Sequence, residues 1–201
     1  MPRPKLDDVR KPQLTAAVRF LIADGGLENT SIAQIADASG TAQGMVRHYF
    51  GGKDSLIEET LRELSREYLD EVDARIAVAS TPEERVVAYV EGTFSPTLFT
   101  RENLVVWLVF WGRLPHSSQL KRIHDSIDDR TQATLAKVLS HFMPADEAVE
   151  QARMLTVFVD GIWLRAAIDA APISRDEARR AVYRHLERNV GVKGMLPVSG
   201  S

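Results

Sequence analysis

Cysteine is absent from the 201 residues, so the chain can form no disulfide, no thiolate metal site and no cysteine nucleophile. Its longest apolar segment, residues 104–111, has eight residues, whereas a membrane-spanning helix needs roughly 20. The beginning of the chain, MPRPKLDDVRKPQ, has no apolar signal-peptide core. Hydrophobic residues still make up 44% of the sequence, enough to form a buried core. We therefore expect a cytoplasmic globular protein that no membrane anchors.

Motifs of the common enzyme classes are also missing: we find no Walker loop, GxGxxG, HExxH or GxSxG. The histidines are scattered without the spacing of metal ligands. We expect no enzyme, no cofactor and no metal. The net charge is −3, but residues 1–53 carry more Lys and Arg than Asp and Glu, and the remainder carries more acids. This distribution is compatible with nucleic-acid binding by the N-terminal part, without demonstrating it.

Apolar residues recur at helical spacing throughout, and no alternating strand of useful length is present. The sequence therefore predicts an all-α fold of about nine helices. We expect Pro12 in the first turn of the first helix, and the apolar residues 104–111 to be buried on all sides. We divide the chain into a DNA-binding domain (1–55), a ligand-binding and dimerisation domain (56–192) and a flexible tail (193–201). The helices are predicted at residues 11–24, 31–39, 42–50, 53–78, 82–95, 101–113, 118–142, 146–171 and 175–190.

Two very short helices stand next to each other near the N-terminus. Ser31 and Gln34 have the spacing of a capping box, Gly40 breaks the first short helix, and the second covers residues 42–50. A helix of about seven residues is marginal by itself, but two of them joined by a tight turn form a helix-turn-helix. In that motif the second helix can enter the major groove of DNA, which explains its polar residues.

The pattern Thr30-Ser31, Ile35-Ala36, Gly40, Gly44, His48-Tyr49-Phe50, Lys53 and Leu56 resembles the tetracycline-repressor (TetR) family of bacterial regulators over roughly residues 10–60. The resemblance implies an N-terminal helical bundle that binds DNA, a larger helical body that binds a small molecule, and a homodimer made by the last two helices. A structural alternative is a generic helical hairpin.

By the same resemblance, nine residues are expected to contact DNA. Ala42 stands where the family often has a capping Ser, so we expect Thr41 to cap the helix. Arg47 stands where many members have Tyr, and its guanidinium could read a guanine edge; contact with phosphate alone is the alternative. His48 could instead be a packing residue. Arg3 and Lys5 form either a flexible arm or a solvated tail. The expected DNA-binding residues are Thr30, Ser31, Thr41, Ala42, Gln43, Arg47, His48, Tyr49 and Lys53.

All three Trp residues lie in the second half of the chain. The segments 110–111 and 160–167 resemble the choline-responsive BetI-type repressors within the family. A quaternary ammonium group is typically held by aromatic faces and a negative charge, which Asp160 could supply. Two alternatives stay open: the aromatic residues could only pack the core, and Asp160 could pair with an Arg. The expected ligand-binding residues are Phe94, Trp107, Phe110, Trp111, Asp160 and Trp163.

Together these features suggest a repressor that binds a palindromic double-stranded DNA operator as a homodimer. A small-molecule effector, choline or a related quaternary ammonium, would release it. A family member that responds to another apolar or cationic ligand is one alternative, and an all-α adaptor that binds no DNA is another. Activation instead of repression is a further possibility, and the operator sequence is beyond what these residues predict.

Overall fold

The structure, a computed structural model, describes residues 6–192, and their side chains from residue 11 onward. Within this range there are nine α-helices and no strand, which confirms the all-α prediction. The predicted N-terminal arm with Arg3 and Lys5 and the predicted tail 193–201 lie outside the described residues. The helices are α1 (Leu6–Gly25), α2 (Ile32–Ala38), α3 (Gln43–Phe50), α4 (Lys53–Val78), α5 (Pro82–Thr93), α6 (Arg101–Arg113), α7 (Ser118–Leu139), α8 (Ala145–Ile168) and α9 (Arg175–Asn189).

The first helix begins earlier than predicted. It starts at Leu6 rather than at residue 11, so Pro12 lies inside α1 and not in its first turn. The prediction was wrong because residues 6–10 contain no Gly or Pro that would stop the helix from extending in the N-terminal direction. Pro12 cannot donate a backbone hydrogen bond. The Thr15 hydroxyl lies in the same turn and donates to the carbonyls of Lys11 and Pro12, at 3.1 Å each.

Helices α2, α5 and α9 begin within one residue of their predicted starts. Ser31, Thr81 and Ser174 each form a capping box, in which the cap hydroxyl accepts from the backbone of a residue three positions on. The ends are less regular, because Gly and Pro stop a helix only approximately. Helix α7 ends at residue 139 and α8 spans Ala145–Ile168, so both are shorter than predicted.

The chain forms two compact units that are not continuous in sequence. The first unit contains the described residues up to 65 together with 101–123, and the second contains 66–100 and 124–192. Helices α4 and α7 each begin in the first unit and end in the second. The predicted functional boundary at residue 55 concerns DNA binding rather than packing, and it stays a prediction.

In the first unit, α1 packs against α2, α3 and, most extensively, α6. Leu14, Val18 and Ile22 form the buried stripe of α1, and each has 0% exposure. The all-round burial predicted for α6 was wrong. Its buried residues lie on one side, whereas Val105, Leu108, Val109 and Trp111 are partly exposed.

In the second unit, α9 packs against both α5 and α8. A polar cluster joins α9 to α5: the Glu91 carboxylate accepts hydrogen bonds from the Arg179 guanidinium and, at 2.6 Å, from the Tyr183 hydroxyl. Burial and the bond to Glu91 both raise the pKa of Tyr183 above its ordinary value. Because the Arg179 and Glu91 side chains are only 15% and 24% exposed, this partly buried cluster fixes α9 against α5 within the second unit.

Candidate functional sites

The turn between α2 and α3 depends on one glycine. Gly40 has a φ of +64°, a conformation that other residues adopt only at a cost. The Thr41 amide then donates to the Ala36 carbonyl at 2.8 Å, which ends α2 and redirects the chain. Ile35 and Ala36 of α2 are buried beneath this turn. The result is the predicted helix-turn-helix, with α3 as its second helix.

Helix α3 has one buried and one open face. Val46 and Phe50 are buried and hold the helix on the first unit. Gln43, Arg47 and His48 are exposed, and together they form the open face of the helix. Long polar side chains on the open face of this eight-residue helix could reach base edges in the major groove. The face therefore fits the predicted role of α3 in recognising DNA sequence. The contacts with DNA themselves stay a prediction.

The start of α3 differs from what we expected. Ala42 occupies the cap position, and no side chain caps the helix. Thr41 does not cap it, because its hydroxyl lies 2.9 Å from the Ser39 hydroxyl instead. At the start of α2, Ser31 is exposed and is the residue that caps the helix. Thr30 is buried, and its hydroxyl donates to the Gly26 carbonyl at 3.0 Å. A phosphate contact by the Thr30 hydroxyl would require it to give up this bond.

Lys53 and the pair His48–Tyr49 complete the predicted DNA face. The Lys53 ammonium donates to the Leu27 carbonyl at 2.8 Å, which ties the start of α4 to the loop before α2. An ammonium has three donors, so this bond leaves two for a phosphate. The His48 and Tyr49 rings meet edge to face at 5.5 Å, and Tyr49 is partly exposed.

The six residues predicted to bind a ligand are distributed over both units. Trp107, Phe110 and Trp111 lie on α6 in the first unit. The Trp107 ring lies 6.4 Å from the Phe110 ring and 6.1 Å from the Trp111 ring. Phe94, Asp160 and Trp163 belong to the second unit. A single pocket that contains all six stays a prediction.

Within the second unit, four aromatic rings form a connected row. Phe94 contacts Phe99 with ring centres 5.3 Å apart, and Phe99 contacts Trp163 at 5.7 Å. Tyr68, on α4, contacts Trp163 from another direction at 6.3 Å, with the ring planes nearly perpendicular. Among the described residues, the buried Trp163 indole nitrogen has no hydrogen-bond partner. Phe94 is fully buried, so its contribution is packing behind Phe99.

Asp160 lies one helical turn before Trp163 on α8. The pKa of its carboxyl is raised to about 7, first by burial and then by the negative charge of Asp128. The arginine that follows on α8, Arg165, pairs instead with Asp169 at 2.7 Å. Both causes penalise the charged form of Asp160, so a bound cation at this place would be favoured electrostatically.

Our reading of the sequence missed two tyrosines and a threonine near this row. Tyr68 and Tyr89 come from α4 and α5, and Thr131 from α7. Burial raises the pKa of Tyr68, and it raises that of Tyr89 much further. Each of these residues falls singly on the buried side of an amphipathic helix, where an aromatic residue usually packs the core. Only the tertiary fold brings them together.

The outer face of α8 carries an apolar stripe. Met154, Val157, Leu164 and Ile168 are each at least 38% exposed, and with Gly161 they alternate at spacings of three and four residues. This is the repeat of a helix seam that packs on another helix. A Cβ atom built on Gly161 would meet nothing within 4 Å. Ile162 and Ala166 of α8 and Val182 and Leu186 of α9 are buried, so they lie away from this stripe.

Residues 6–192 contain no group of three or more His, Asp or Glu side chains placed to hold a metal ion. Across the same range, no helix is long and apolar enough to cross a membrane.

Two family profiles match the chain. Residues 14–60 match the bacterial regulatory proteins of the tetR family, which covers the helix-turn-helix and the start of α4. Residues 82–191 match the C-terminal domain of the BetI-type transcriptional repressors, from α5 to the end of α9.

Curated relatives and solved structures agree with these matches. The transcriptional regulator BetI of Cronobacter sakazakii is 37% identical over 94% of this chain and 95% of its own, and that of Vibrio atlanticus is 34% identical over 94% and 96%. A regulator from Saccharomonospora viridis, solved in complex with choline, has a TM-score of 0.81 at 24% identity and covers 91% of this chain and 98% of its own. At that identity the likeness shows the fold. The chain belongs to the tetR family of bacterial regulatory proteins and is a transcriptional repressor of the BetI type.

Proposed function

We propose that this repressor binds a palindromic operator as a homodimer in the cytoplasm, and that choline or a close quaternary ammonium relative releases it. The ligand assignment rests on the position of Asp160. Its carboxylate is half-buried near Trp163 on α8, and its charge acts on Tyr68. A quaternary ammonium has no N–H to donate, so it is recognised by aromatic rings and by negative charge. The choline complex of the Saccharomonospora viridis regulator supports the same ligand class.

A second feature supports a cationic ligand. An open cleft of about 430 Å³ is lined by Glu67, Asp70 and Glu71 of α4 and by residues 97–98. Acid-lined clefts raise the local concentration of cations and oppose the entry of anions. A fatty acid or another anionic effector is therefore disfavoured. A different organic cation remains the alternative effector, and it would use the same carboxylate.

DNA recognition rests on the exposed face of α3. Arg47 can form two hydrogen bonds with the O6 and N7 atoms of guanine, which is worth about 1–3 kcal/mol of discrimination between bases. Ser31, at the N-terminus of α2, and Lys53 are placed for phosphate contacts, which fix position without reading sequence. We therefore expect a guanine in each half-site at the position that Arg47 reaches.

Dimerisation would use the apolar stripe of α8 defined above. Two copies related by a two-fold axis bring the same stripe together, and Gly161 would let the two backbones approach closely. A dimer presents two α3 helices one or more turns of DNA apart, about 34–36 Å per turn. A palindromic operator follows from this symmetry.

Helix α4 offers a mechanical connection between effector and operator. Lys53 begins it and Tyr68 lies 15 residues later, about 22 Å along the axis at the usual rise of a helix. Because one continuous helix carries both residues, a ligand that moves Tyr68 also biases the position of Lys53. A coupling of about 1–3 kcal/mol is typical of such switches.

The first experiment selects operator DNA from a random duplex pool with the purified protein. We expect a palindrome with a guanine in each half-site. Arg47→Ala should bind this DNA at least tenfold more weakly and lose its preference at the guanine position, while His141→Ala, on an exposed residue beyond the end of α7, should not. If no sequence is enriched and binding is insensitive to salt, the DNA-binding proposal fails and the adaptor alternative gains support.

A further inference from the structure

His185 lies near the C-terminal end of α9, outside the residues proposed to bind DNA or the effector. Its ring stacks on the Phe158 ring of α8, with the ring centres 4.9 Å apart and the ring planes 20° from parallel. The residue is half-buried, and its Nε2 atom is buried without a hydrogen-bond partner among the described residues. The stacked pair therefore joins α9 to α8 directly beside Val157, a residue of the apolar stripe.

Asn189 determines which nitrogen of the His185 ring carries the proton. The side-chain amide nitrogen of Asn189 donates to the His185 carbonyl at 2.8 Å, which sets the orientation of the amide. The same nitrogen lies 3.4 Å from His185 Nδ1. Because Nδ1 faces a donor, we assign it as the acceptor and place the proton of the neutral ring on Nε2. A second proton would have to be added at Nδ1, where it would point at the N–H groups of Asn189.

The surroundings of the stacked pair also oppose a positive charge on His185. Burial lowers the pKa of His185 from its ordinary value of 6.5, so this packing selects the neutral ring. The carboxylate that α5 presents to α9, Glu91, is already bonded to Arg179 and Tyr183. The other charged residues near the pair in sequence are Arg184, Glu187 and Arg188 on α9 and Asp160 on α8.

His141, beyond the end of α7, shows the opposite arrangement. Its Nδ1 lies 3.2 Å from the Lys137 carbonyl and 3.1 Å from the Val138 carbonyl. Carbonyl oxygens only accept hydrogen bonds, so Nδ1 of this ring carries a proton already. Because His141 is exposed, a second proton can be added at Nε2 without breaking either contact. The difference between the two histidines lies in their partners, and it makes His141 a suitable control.

We propose that His185 forms an acid-sensitive contact between α8 and α9, whose protonation detaches the end of α9 from Phe158 and dissociates the homodimer. The dimer part rests on the proposed function, since Phe158 is next to Val157 in the stripe through which two copies would pack. As the pH falls below 6.5, the detached state takes up a proton that the packed state excludes, so the packed state loses stability. Operator DNA would then be released by acid without any effector.

The test begins with an NMR titration of the His185 ring in the intact protein, assigned by comparison with His185→Phe. We expect His185 to titrate below 6.5. Sedimentation at pH 7.5 and pH 5.5 then measures dimerisation. The wild-type dimer should be at least tenfold weaker at pH 5.5, since uptake of one proton changes an equilibrium about tenfold per pH unit. His185→Phe keeps a ring on Phe158 and has no nitrogen to titrate, so it should stay dimeric at both pH values.

Two further variants make the comparison specific. His141→Phe should keep the acid response of the wild type. Asn189→Asp replaces the donor that faces Nδ1 with an acceptor, so the protonated ring gains a partner and the dissociation should move to lower pH. The carboxyl of Asp160 titrates in the same range with the opposite effect on stability. It is present in all of these proteins, so the differences between them isolate His185.

The outcomes separate this contact from the proposed function. A His185 ring that titrates at or above 6.5 would overturn the acid-sensitive contact, and so would a His185→Phe protein that dissociates in acid as the wild type does. A wild-type dimer that persists unchanged at pH 5.5 would overturn it while leaving the homodimer intact. A wild-type chain that is monomeric at pH 7.5 would contradict the homodimer itself.

Discussion

Burial and the neighbouring carboxylate of Asp128 both oppose the negative charge of Asp160. We therefore expect the stability and the effector affinity of the protein to depend on pH near neutrality. The pKa of Asp160 is raised from 3.8, its ordinary value, to about 7 in the folded protein. The folded state therefore binds the proton more tightly, so its contribution to stability grows as the pH falls from 7 towards 4 and is lost as the pH rises. A cationic effector needs the opposite form, because it binds the ionised carboxylate.

Choline affinity should therefore weaken about tenfold between pH 8 and pH 6, because a bound cation must displace the proton from Asp160. Calorimetry at the two pH values measures this. Asp160→Asn should bind choline weakly and without this pH dependence. Asp128→Asn should shift the transition to lower pH, because one cause of the raised pKa is removed. Asp129→Asn, a control on an exposed neighbour, should behave as the wild type. An affinity that is flat from pH 6 to pH 8 would remove Asp160 from the site.

At the scale of single elements, α3 contains a glycine that the fold itself does not require. Gly44 has no left-handed conformation, and an added Cβ atom would meet nothing within 4 Å. Inside a helix, Gly costs up to about 1 kcal/mol relative to Ala. Its exposed position beside Gln43, on the open face of α3, suggests that close approach to DNA is what Gly44 permits.

Gly44→Ala should therefore stabilise the free protein slightly and still weaken operator binding about tenfold, because the methyl group would hold α3 away from the groove. Thermal unfolding and anisotropy of labelled operator DNA measure the two effects. Gly112→Ala, at an equally open and exposed position on α6, is the matched control and should leave the affinity unchanged. Wild-type affinity in Gly44→Ala would mean that this glycine has no role in DNA contact.

The elements also show what a sequence alone can predict here. Caps at Ser31, Thr81 and Ser174 are local signals, and the helices they begin were predicted at the observed positions. Thr41 was predicted to cap α3 and does not. Its hydroxyl is instead paired with the Ser39 hydroxyl across the turn, a contact that the local sequence pattern does not predict. The sequence did not predict which residues meet at the candidate ligand site. Tyr89 and Thr131, for example, are 42 positions apart in the sequence, and no local pattern connects them.

At the scale of the whole molecule, the proposed function requires two copies of the chain. Val157 lies in the apolar stripe of α8 and is 61% exposed in the single chain. Val157→Asp should leave the monomer folded, but it would place two acids against each other across the two-fold axis. We expect a monomer in sedimentation analysis and at least hundredfold weaker operator binding.

Val78→Asp is the comparison for the dimer prediction, because Val78 is 82% exposed at the end of α4 and lies outside the stripe. It should sediment and bind the operator as the wild type does. A Val157→Asp protein that remains dimeric would exclude the α8 stripe as the dimer interface.

The most direct measurement is the release of labelled operator DNA by choline, followed by fluorescence anisotropy at pH 8. Sodium chloride at equal ionic strength is the reference, because salt alone weakens DNA binding. We predict that choline lowers the anisotropy of the wild-type complex to that of free DNA, whereas the Asp160→Asn complex stays intact at the same concentrations. A wild-type complex that remains on the operator when choline has saturated the protein would contradict the proposed mechanism.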